Sequence, residues 1–354
     1  MPEPGGTLAD LGERRIVREI LEPRYTRRYV GDDCAIAEID SGWRYLALTT
    51  DPCPEPMAAL LGFTDPFYRG WLFATINLSD LAAAGARPLG LLASMVLPRD
   101  YLLRDFMRLL DGMDACCSAA GTRVIGGNLK EGQGIDLVGS AVGTCGDWMP
   151  LQRAGAHPSD VVVVIGDMGL FWTGVLASQN HLLPPVATDH PLLRTVLTPI
   201  PKVAVGVAAA QQSLLSSCMD NSDGLPPTVS QLASSSGVRF ELDLSAIEFD
   251  SRVTSMAQQL ALDPVRLALG WGDWQLVGTV SPTRLSALQR LCHERSVELH
   301  IIGQVQSGSG VGVYYNGRRG TLAPLESERF AANSWFTAGL DTYIEALKEN
   351  PVVE

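Results

Sequence analysis

The chain has 354 residues, a length that corresponds to two domains of ordinary size. Hydrophobic residues make up 46% and charged residues 19%, the balance of a folded protein with a full core. The formal net charge is −12, so we expect neither a nucleic-acid nor a membrane-surface partner. No apolar run approaches the roughly 18 residues of a membrane-spanning helix, and no signal-peptide pattern occurs.

Several classes of site are excluded by short motifs. The seven cysteines never show Cys-x-x-Cys spacing and the five histidines show no metal-ligand spacing, so we expect free thiols in a reducing cytoplasm and no zinc. No Gly-Lys dipeptide occurs, which excludes a Walker-type phosphate loop. Neither a dinucleotide-binding glycine motif nor a nucleophile elbow is present. A nucleotide would therefore have to be bound by another device.

The first half of the chain contains helices and strands in mixed order, which predicts an α/β or α+β layered domain. The predicted elements are a helix over 8–22, a strand over 44–50 that stops at Asp51-Pro52, a helix over 67–86, a strand over 89–97, a helix over 100–120, and strands over 123–125 and 135–145.

A turn-rich link near 147–160 separates this part from a second α/β region, so we predict domains over 1–148 and 149–354. The predicted elements there are a fully buried strand over 160–167, a helix over 171–178, an irregular proline-rich stretch over 184–201, a helix over 202–215, a loop over 217–227, a helix over 228–236, strands over 238–244, 275–280 and 299–305, and a helix over 282–295.

Five polar sites share one pattern: four lie at the ends of predicted elements, and one lies inside a predicted helix. They are Gly31-Asp32-Asp33, Thr49-Thr50-Asp51, Asn77-Leu78-Ser79-Asp80, Gly126-Gly127-Asn128 in a turn after a strand, and Asp220-Asn221-Ser222-Asp223. Taken singly, such residues are often helix caps or turn formers. Asp80 is different, because a carboxylate inside an apolar helix needs a partner or a metal ion. Together, the carboxylates and hydroxyls supply the hard oxygen ligands that Mg²⁺ prefers.

The segments GDDCAI, LTTD, INLSDLAAAGARPLG, VIGGN and MDNSDGL, in this order, closely resemble the thiamine-monophosphate kinase family. Its superfamily includes aminoimidazole ribonucleotide synthetase, selenophosphate synthetase and the hydrogenase-maturation dehydratase. The resemblance runs from about Gly12 to Val305. It implies a two-domain aminoimidazole ribonucleotide synthetase-like fold whose N-terminal strands pair across a homodimer. It also implies that ATP and several Mg²⁺ ions occupy the cleft between the domains.

The resemblance also assigns roles to individual residues. It implies magnesium-site positions at Asp33, Thr49, Thr50, Asp51, Asp80, Asp220 and Asp223, of which Asp51, Asp80 and Asp223 would be catalytic. It implies nucleotide contacts at Ser222, Arg153 and the Gly127-Asn128 turn, to which Lys130 could add positive charge. For Arg153 alone, a surface arginine is an equal alternative.

Three positions depart from the family pattern. Asn128 stands where the family has a metal-binding aspartate, Ala58 falls near a substrate histidine, and Gly272 replaces a substrate glutamate. Trp271 and Trp274 could stack on a flat or cationic acceptor, although packing tryptophans are an alternative reading. Asp273 could orient an acceptor hydroxyl or cap a turn.

Three functions remain open on this reading. The first is a Mg²⁺- and ATP-dependent kinase that transfers the γ-phosphate to a phosphate or hydroxyl group of a small molecule. That acceptor is either thiamine monophosphate or a different compound. The second is ATP-dependent activation of an amide or carbonyl oxygen followed by cyclisation or dehydration, with release of ADP and phosphate. The third is a non-catalytic nucleotide-binding protein.

Overall fold

The computed structural model describes residues 13–16, 18–19, 32–38, 45–182, 189–323, 325 and 338–354. The helix predicted over 8–22 lies largely outside the described residues, of which Glu13–Ile16 form helix α1. In the described part of the chain, no helix combines the length and the apolar character that crossing a bilayer requires. All seven cysteines are free thiols, as predicted, and all except Cys53 are buried.

The first sheet has five strands in the order β1-β2-β5-β3-β4. Only the β3–β4 pair is parallel, and the other neighbours are antiparallel. The strands are β1 (Ala35–Glu38), β2 (Tyr45–Pro52), β3 (Arg87–Pro98), β4 (Val124–Gly132) and β5 (Asp136–Thr144).

The second sheet has seven strands in the order β12-β11-β8-β10-β6-β9-β7. These are β6 (Val161–Ile165), β7 (Ser217–Asp220), β8 (Arg239–Asp243), β9 (Leu276–Val280), β10 (Leu299–Gln306), β11 (Gly310–Tyr315) and β12 (Arg318–Gly320). The interior strand β6 is buried on both faces. Val163 packs into one hydrophobic core and Val162 into the other, which explains its unbroken apolar sequence.

Helices cover both sheets, so the mixed α/β layered architecture predicted from the sequence is confirmed. After α1 they are α2 (Met57–Leu60), α3 (Pro66–Ala83), α4 (Leu103–Ala119), α5 (Leu170–Gln179), α6 (Pro191–Leu197), α7 (Val203–Gln211), α8 (Leu225–Ser236), α9 (Ser251–Gln259), α10 (Pro264–Leu269), α11 (Pro282–Glu294) and α12 (Leu340–Glu349). A short 3₁₀ helix spans Leu244–Ala246.

Helix α3 joins the two halves of the molecule. One side of it packs on the first sheet, and another side packs on α7 from the second half. The approach to α7 is so close that a Cβ added at Gly206 would lie 2.2 Å from the carbonyl oxygen of Ala82. The indole of Trp71 also donates a hydrogen bond to the carbonyl oxygen of Pro199, 2.7 Å away. This contact holds the two halves of the chain against each other.

Three predictions about local structure are wrong. The stretch predicted to be irregular over 184–201 contains the helix α6. Gly126-Gly127-Asn128 is not a turn, because the strand predicted over 123–125 continues through it as β4, paired with β3. The segment 217–227 is not a loop throughout, because it begins with β7, which pairs with β9. The strands of the first sheet come from residues 35–144 and those of the second from 161–320, while the domain boundary between 148 and 149 stays a prediction.

Candidate functional site

A cleft of about 430 Å³ lies between the two halves of the chain. One end is acidic and is formed by β2, the last turn of α3, the end of β7 and the residues just before β1. The other end is apolar and aromatic. Its lining includes Tyr68, Phe171, Trp271 and Trp274. A cleft with these two ends suits a ligand that has a charged part and a flat or apolar part.

Three carboxylates meet at the acidic end. One oxygen atom each of Asp33, Asp80 and Asp220 lies within 4.8 Å of the others, a spacing that could hold a metal ion. They arrive from three elements that are far apart in sequence: the segment before β1, helix α3 and strand β7. The fold therefore brings together like charges that repel each other unless a cation or a proton intervenes.

Hydroxyl groups satisfy only some of the carboxylate oxygens. The hydroxyl of Thr49 donates a hydrogen bond of 2.5 Å to Oδ2 of Asp80. Asp220 accepts two such bonds, from Ser79 at 2.7 Å and from Ser222 at 2.9 Å. These bonds orient the carboxylates without neutralising their charge, so capacity for a cation remains.

Arg153 reaches the same end of the cleft from the segment between the two sheets. Its Nη2 lies 3.1 Å from Oδ1 of Asp33, and its backbone N–H donates to Asp32 at 2.7 Å. A further bond of 2.8 Å runs from Nη1 to Gln231 on α8. The Arg153 side chain is only 19% exposed, so it is not a surface arginine. Among the described residues that line the cleft, it is the one cationic side chain.

Burial and mutual repulsion change the proton affinity of the cluster. Burial raises the pKa of Asp80 well above its ordinary value, and the charges of Asp51, Asp220 and Asp33 raise it further. Burial, with repulsion from Asp33, raises the pKa of Asp220 to about 7. Carboxylates that hold protons near neutral pH without a metal are ready to exchange them for a divalent cation. Carboxylate and hydroxyl oxygens also fit the ligand preference of Mg²⁺.

Most of the residues singled out from the sequence lie together in this cleft. Its lining contains Asp33, Thr49, Thr50, Asp51, Asp80, Arg153, Asp220, Ser222, Asp223, Trp271 and Trp274. Asp273 is not part of the lining. It is 8% exposed, and its side chain accepts bonds from Asn221 and from the backbone N–H of Gln275.

Gly127, Asn128 and Lys130 are not brought to this cleft within one chain. They lie on the exposed edge strand β4. The strand register places Gly127 in one row with Ala93, Gly139 and Asp51. Three strand spacings therefore separate Gly127 from Asp51, a distance of about 14 Å. No metal ion can be shared across that distance.

Several contributions to the cleft were missed from the sequence, among them Asp32 and Phe171. Asp32 binds the backbone of Arg153, although only its neighbour Asp33 was predicted to act there. Phe171, at the start of α5, contributes its ring to the aromatic end. The Asp32-Asp33 pair before an apolar strand is a pattern from which a role for Asp32 could have been predicted. No local pattern marks Phe171, because its place in the cleft depends on how α5 packs.

Known proteins resemble this chain over both halves. Residues 31–145 match the AIR synthase related protein, N-terminal domain, and residues 157–316 match the AIR synthase related protein, C-terminal domain. A thiamine-monophosphate kinase of Methanopyrus kandleri is 30% identical over 254 residues, which cover 70% of this chain and 75% of the relative. A carbamoyl dehydratase HypE of Rhizobium leguminosarum is 28% identical over 238 residues, 65% of each chain.

A solved structure described as AaThiL complexed with AMPPCP and TMP superposes on this chain with a TM-score of 0.77. The sequence identity is 25%, and the match covers 91% of this chain and 98% of the other. The two-domain fold expected from the sequence resemblance is thereby confirmed.

The acidic cluster predicts an unusual pH dependence of stability in metal-free protein. Between pH 3.8 and about 7, folded Asp220 holds a proton that the unfolded chain has released. Raising the pH through this window therefore favours unfolding, by an amount on the order of a few kcal/mol. We expect the melting temperature in EDTA to fall from about pH 5 to about pH 8, and the fall to be smaller in Asp220→Asn.

Asp273, whose burial also raises its pKa to about 7, acts in the same direction, as does Asp80. The difference between wild type and Asp220→Asn therefore measures the share of Asp220 together with its repulsion of Asp80. The exposed Asp111 on α4 provides the control variant Asp111→Asn, whose profile should match wild type. A wild-type melting temperature that rises across the window would contradict the proposed crowding of charges.

Proposed function

Because the chain belongs to the AIR synthase related family, as a divergent relative of thiamine-monophosphate kinases, we propose that it is a Mg²⁺- and ATP-dependent kinase. It would transfer the γ-phosphate of ATP to a phosphate or hydroxyl group of a small molecule. The observation that carries this proposal is the cluster of Asp33, Asp80 and Asp220 in a cleft shared by both halves of the chain. An acidic cluster beside an aromatic surface supports a metal-bound polyphosphate next to an organic acceptor.

Asp33, Asp80 and Asp220 would hold Mg²⁺, with Asp51, Asp223 and the hydroxyls of Thr49 and Thr50 within the same cleft lining. Bound Mg²⁺ supplies positive charge that neutralises phosphate oxygens, which an acidic cleft would otherwise repel. Ser222, held by Asp220, is placed to donate to a phosphate oxygen once metal satisfies that carboxylate.

Arg153 is placed to add bidentate charge stabilisation to a bound polyphosphate. Its guanidinium now pairs with Asp33, and its backbone is anchored on Asp32. If Mg²⁺ neutralises Asp33, the guanidinium fork becomes available to phosphate oxygens. Phosphoryl transfer of this kind needs positioning and charge neutralisation rather than a covalent enzyme intermediate. The fixed positions of Arg153 and Ser222 are consistent with that requirement.

The aromatic end of the cleft supports a flat acceptor. Trp274 and Phe171 line it. Glu55 also lines the cleft, where it forms an ion pair with Arg69. Trp271 also packs on Trp172 and Tyr343, with ring centroids 5.6 and 6.1 Å apart, so it serves both the core and the cleft.

The acceptor pocket has its own shape at Gly272. A Cβ added there would lie 3.1 Å from the ring of Phe171, so the ring occupies the space that a larger side chain at this position would need. Because Gly272 stands where the family has a glutamate, the pocket supports an acceptor that is either a relative of thiamine monophosphate or a different compound.

A second function is favoured by the likeness to a carbamoyl dehydratase at 28% identity. On this reading the cleft would activate an amide or carbonyl oxygen with ATP, and a cyclisation or dehydration would release ADP and phosphate. The neutral Asn128 and the altered acceptor pocket are compatible with it. The third reading, a nucleotide-binding protein without turnover, predicts binding alone.

Product analysis distinguishes these functions. We expect the full chain with Mg²⁺ and ATP to form ADP when an acceptor is added, with one phosphorylated product per ADP. Thiamine monophosphate is the first acceptor to add, with thiamine diphosphate, ADP and free phosphate measured by ³¹P NMR. Asp80→Asn should lower kcat/KM by roughly a hundredfold, the usual loss when one preorganised electrostatic group is removed.

Asp111→Asn, which removes an exposed carboxylate outside the cleft, is the control and should keep full activity. Equal amounts of ADP and free phosphate, with an amide or carbonyl substrate consumed, would establish the second function instead. Nucleotide binding without ADP from any acceptor would establish the third. Unchanged activity in Asp80→Asn would disprove the site assignment.

We also propose that two copies pair through the first sheet, since α3 covers one of its faces and no described element of the chain covers the other. The opposite face exposes Leu48 and Leu92, and the edge strand β4 exposes Ile125 and Leu129 at 49% and 58%. An exposed apolar sheet face beside an unpaired strand edge favours association with another sheet.

Light scattering tests the dimer. We expect the wild type to have twice the chain mass of 38.0 kDa and Leu92→Arg to be a monomer, because a charged group would be buried at the interface. Leu103→Arg is the control, since Leu103 is 74% exposed at the start of α4, away from this face. A monomeric wild type would overturn the proposal.

A further inference from the structure

A network of hydrogen bonds joins two segments of the cleft wall. We call residues 220–224 the nucleotide loop and residues 269–275 the aromatic wall. The backbone N–H of Asn221 donates to the carbonyl oxygen of Gln275 at 2.8 Å, and that of Gly272 donates to the carbonyl oxygen of Ser222 at 3.0 Å. A Cβ added at Gly224 would lie 2.7 Å from the carbonyl oxygen of Leu269. The two segments are therefore in direct backbone contact.

Asp273 stands at the centre of this contact. Its Oδ1 accepts a bond of 2.9 Å from the side chain of Asn221 and one of 3.2 Å from the backbone N–H of Gln275. Its own carbonyl oxygen accepts from the Gln275 side chain at 2.8 Å. Asp273 does cap its local turn, which was one of the two readings from the sequence. It also crosses to the nucleotide loop, which a turn cap alone does not do.

The charge of Asp273 has a buried counterpart. The ammonium group of Lys202, at the start of α7, interacts favourably with Asp273 and with Asp167. A carboxylate that is 8% exposed costs free energy unless such partners compensate its burial. The network is thus built around Asp273 on all sides, rather than being an incidental contact of an exposed residue.

The residue next to Asp273 has a strained backbone. Trp274 has a φ of 53°, in the left-handed region that bulky side chains rarely adopt. Its indole lines the cleft. Such strain persists only where the surrounding structure holds it, and the bonds of Asp273 and Gln275 on either side do so. The orientation of the Trp274 ring therefore depends on the same network that reaches the nucleotide loop.

We propose that Asp273 is a positioning residue that couples nucleotide binding at the nucleotide loop to the orientation of Trp274 in the acceptor end of the cleft. This inference rests on the proposed function, because it needs a nucleotide at Ser222. A nucleotide that pulls on Ser222 also moves its neighbour Asn221, whose side chain is bonded to Asp273, and through Asp273 the adjoining Trp274. The aromatic wall then takes its final position, so the acceptor binds best after the nucleotide.

Fluorine NMR tests the coupling on the full chain labelled with 5-fluorotryptophan. The resonance of Trp274 is assigned with Trp274→Phe, and Mg²⁺ with AMPPCP is the probe. We expect the Trp274 resonance of the wild type to shift as the nucleotide binds. In Asp273→Ala the nucleotide should still bind, measured by calorimetry, while the shift is lost because Asn221 no longer has its acceptor.

Two further variants separate positioning from folding. Asp273→Asn keeps an Oδ1 acceptor and should restore the shift. Asn221→Ala removes the donor from the opposite side and should lose the shift even if Asp273→Ala does not fold. Asp263→Ala is the control, because Asp263 caps α10 in the same half of the chain without touching the network, and it should shift as the wild type does.

The outcomes distinguish this inference from the proposed function. Nucleotide binding to the wild type without a Trp274 shift, or full shifts in both Asp273→Ala and Asn221→Ala, would overturn the coupling and leave the kinase proposal intact. Failure of the wild type to bind Mg²⁺ with AMPPCP would overturn the kinase proposal, and the coupling with it.

Discussion

Repulsion among buried carboxylates is the constraint on which the rest of the structure depends. Asp33, Asp80 and Asp220 come from three elements and place one oxygen each within 4.8 Å of the others. Folding the chain without a cation leaves this repulsion to be met by protons and by the guanidinium of Arg153. A cluster kept at such a cost to stability supports a functional role over a purely structural one.

Helix α3 is the element that makes this crowding possible. It carries Asp80 and Ser79, and it packs on the first sheet and on α7 of the second half at once. Ser79 bonds to Asp220 on the far side of the cleft, so the helix links the carboxylates as well as the domains. The site therefore exists only in the assembled molecule, and the energy of packing α3 holds the charges together.

Much of this could be predicted from the sequence, and the limits have physical reasons. The helix around Asp80 and the strand before Asp51 follow from apolar periodicity. Asp80 was recognisable as a candidate because a carboxylate inside an apolar helix needs a partner or a metal ion. The Gly126-Gly127 pair is typical of a turn, yet in the structure both residues lie inside strand β4. A Cβ added at Gly127 would lie 1.9 Å from the carbonyl oxygen of Ala93, so glycine there allows close strand pairing. The bond between Asp273 and Asn221, and the place of Phe171 in the cleft, arise from tertiary contacts that no local pattern encodes.

The most direct measurement is a crystal structure of the full chain with Mn²⁺ and AMPPCP, with data collected at the manganese absorption edge. Mn²⁺ replaces Mg²⁺ among hard oxygen ligands and is located by its anomalous scattering. The account predicts manganese between Asp33, Asp80 and Asp220, with the phosphates of AMPPCP on the metal and beside Ser222 and Arg153. Nucleotide bound elsewhere, or no metal among these carboxylates, would contradict it.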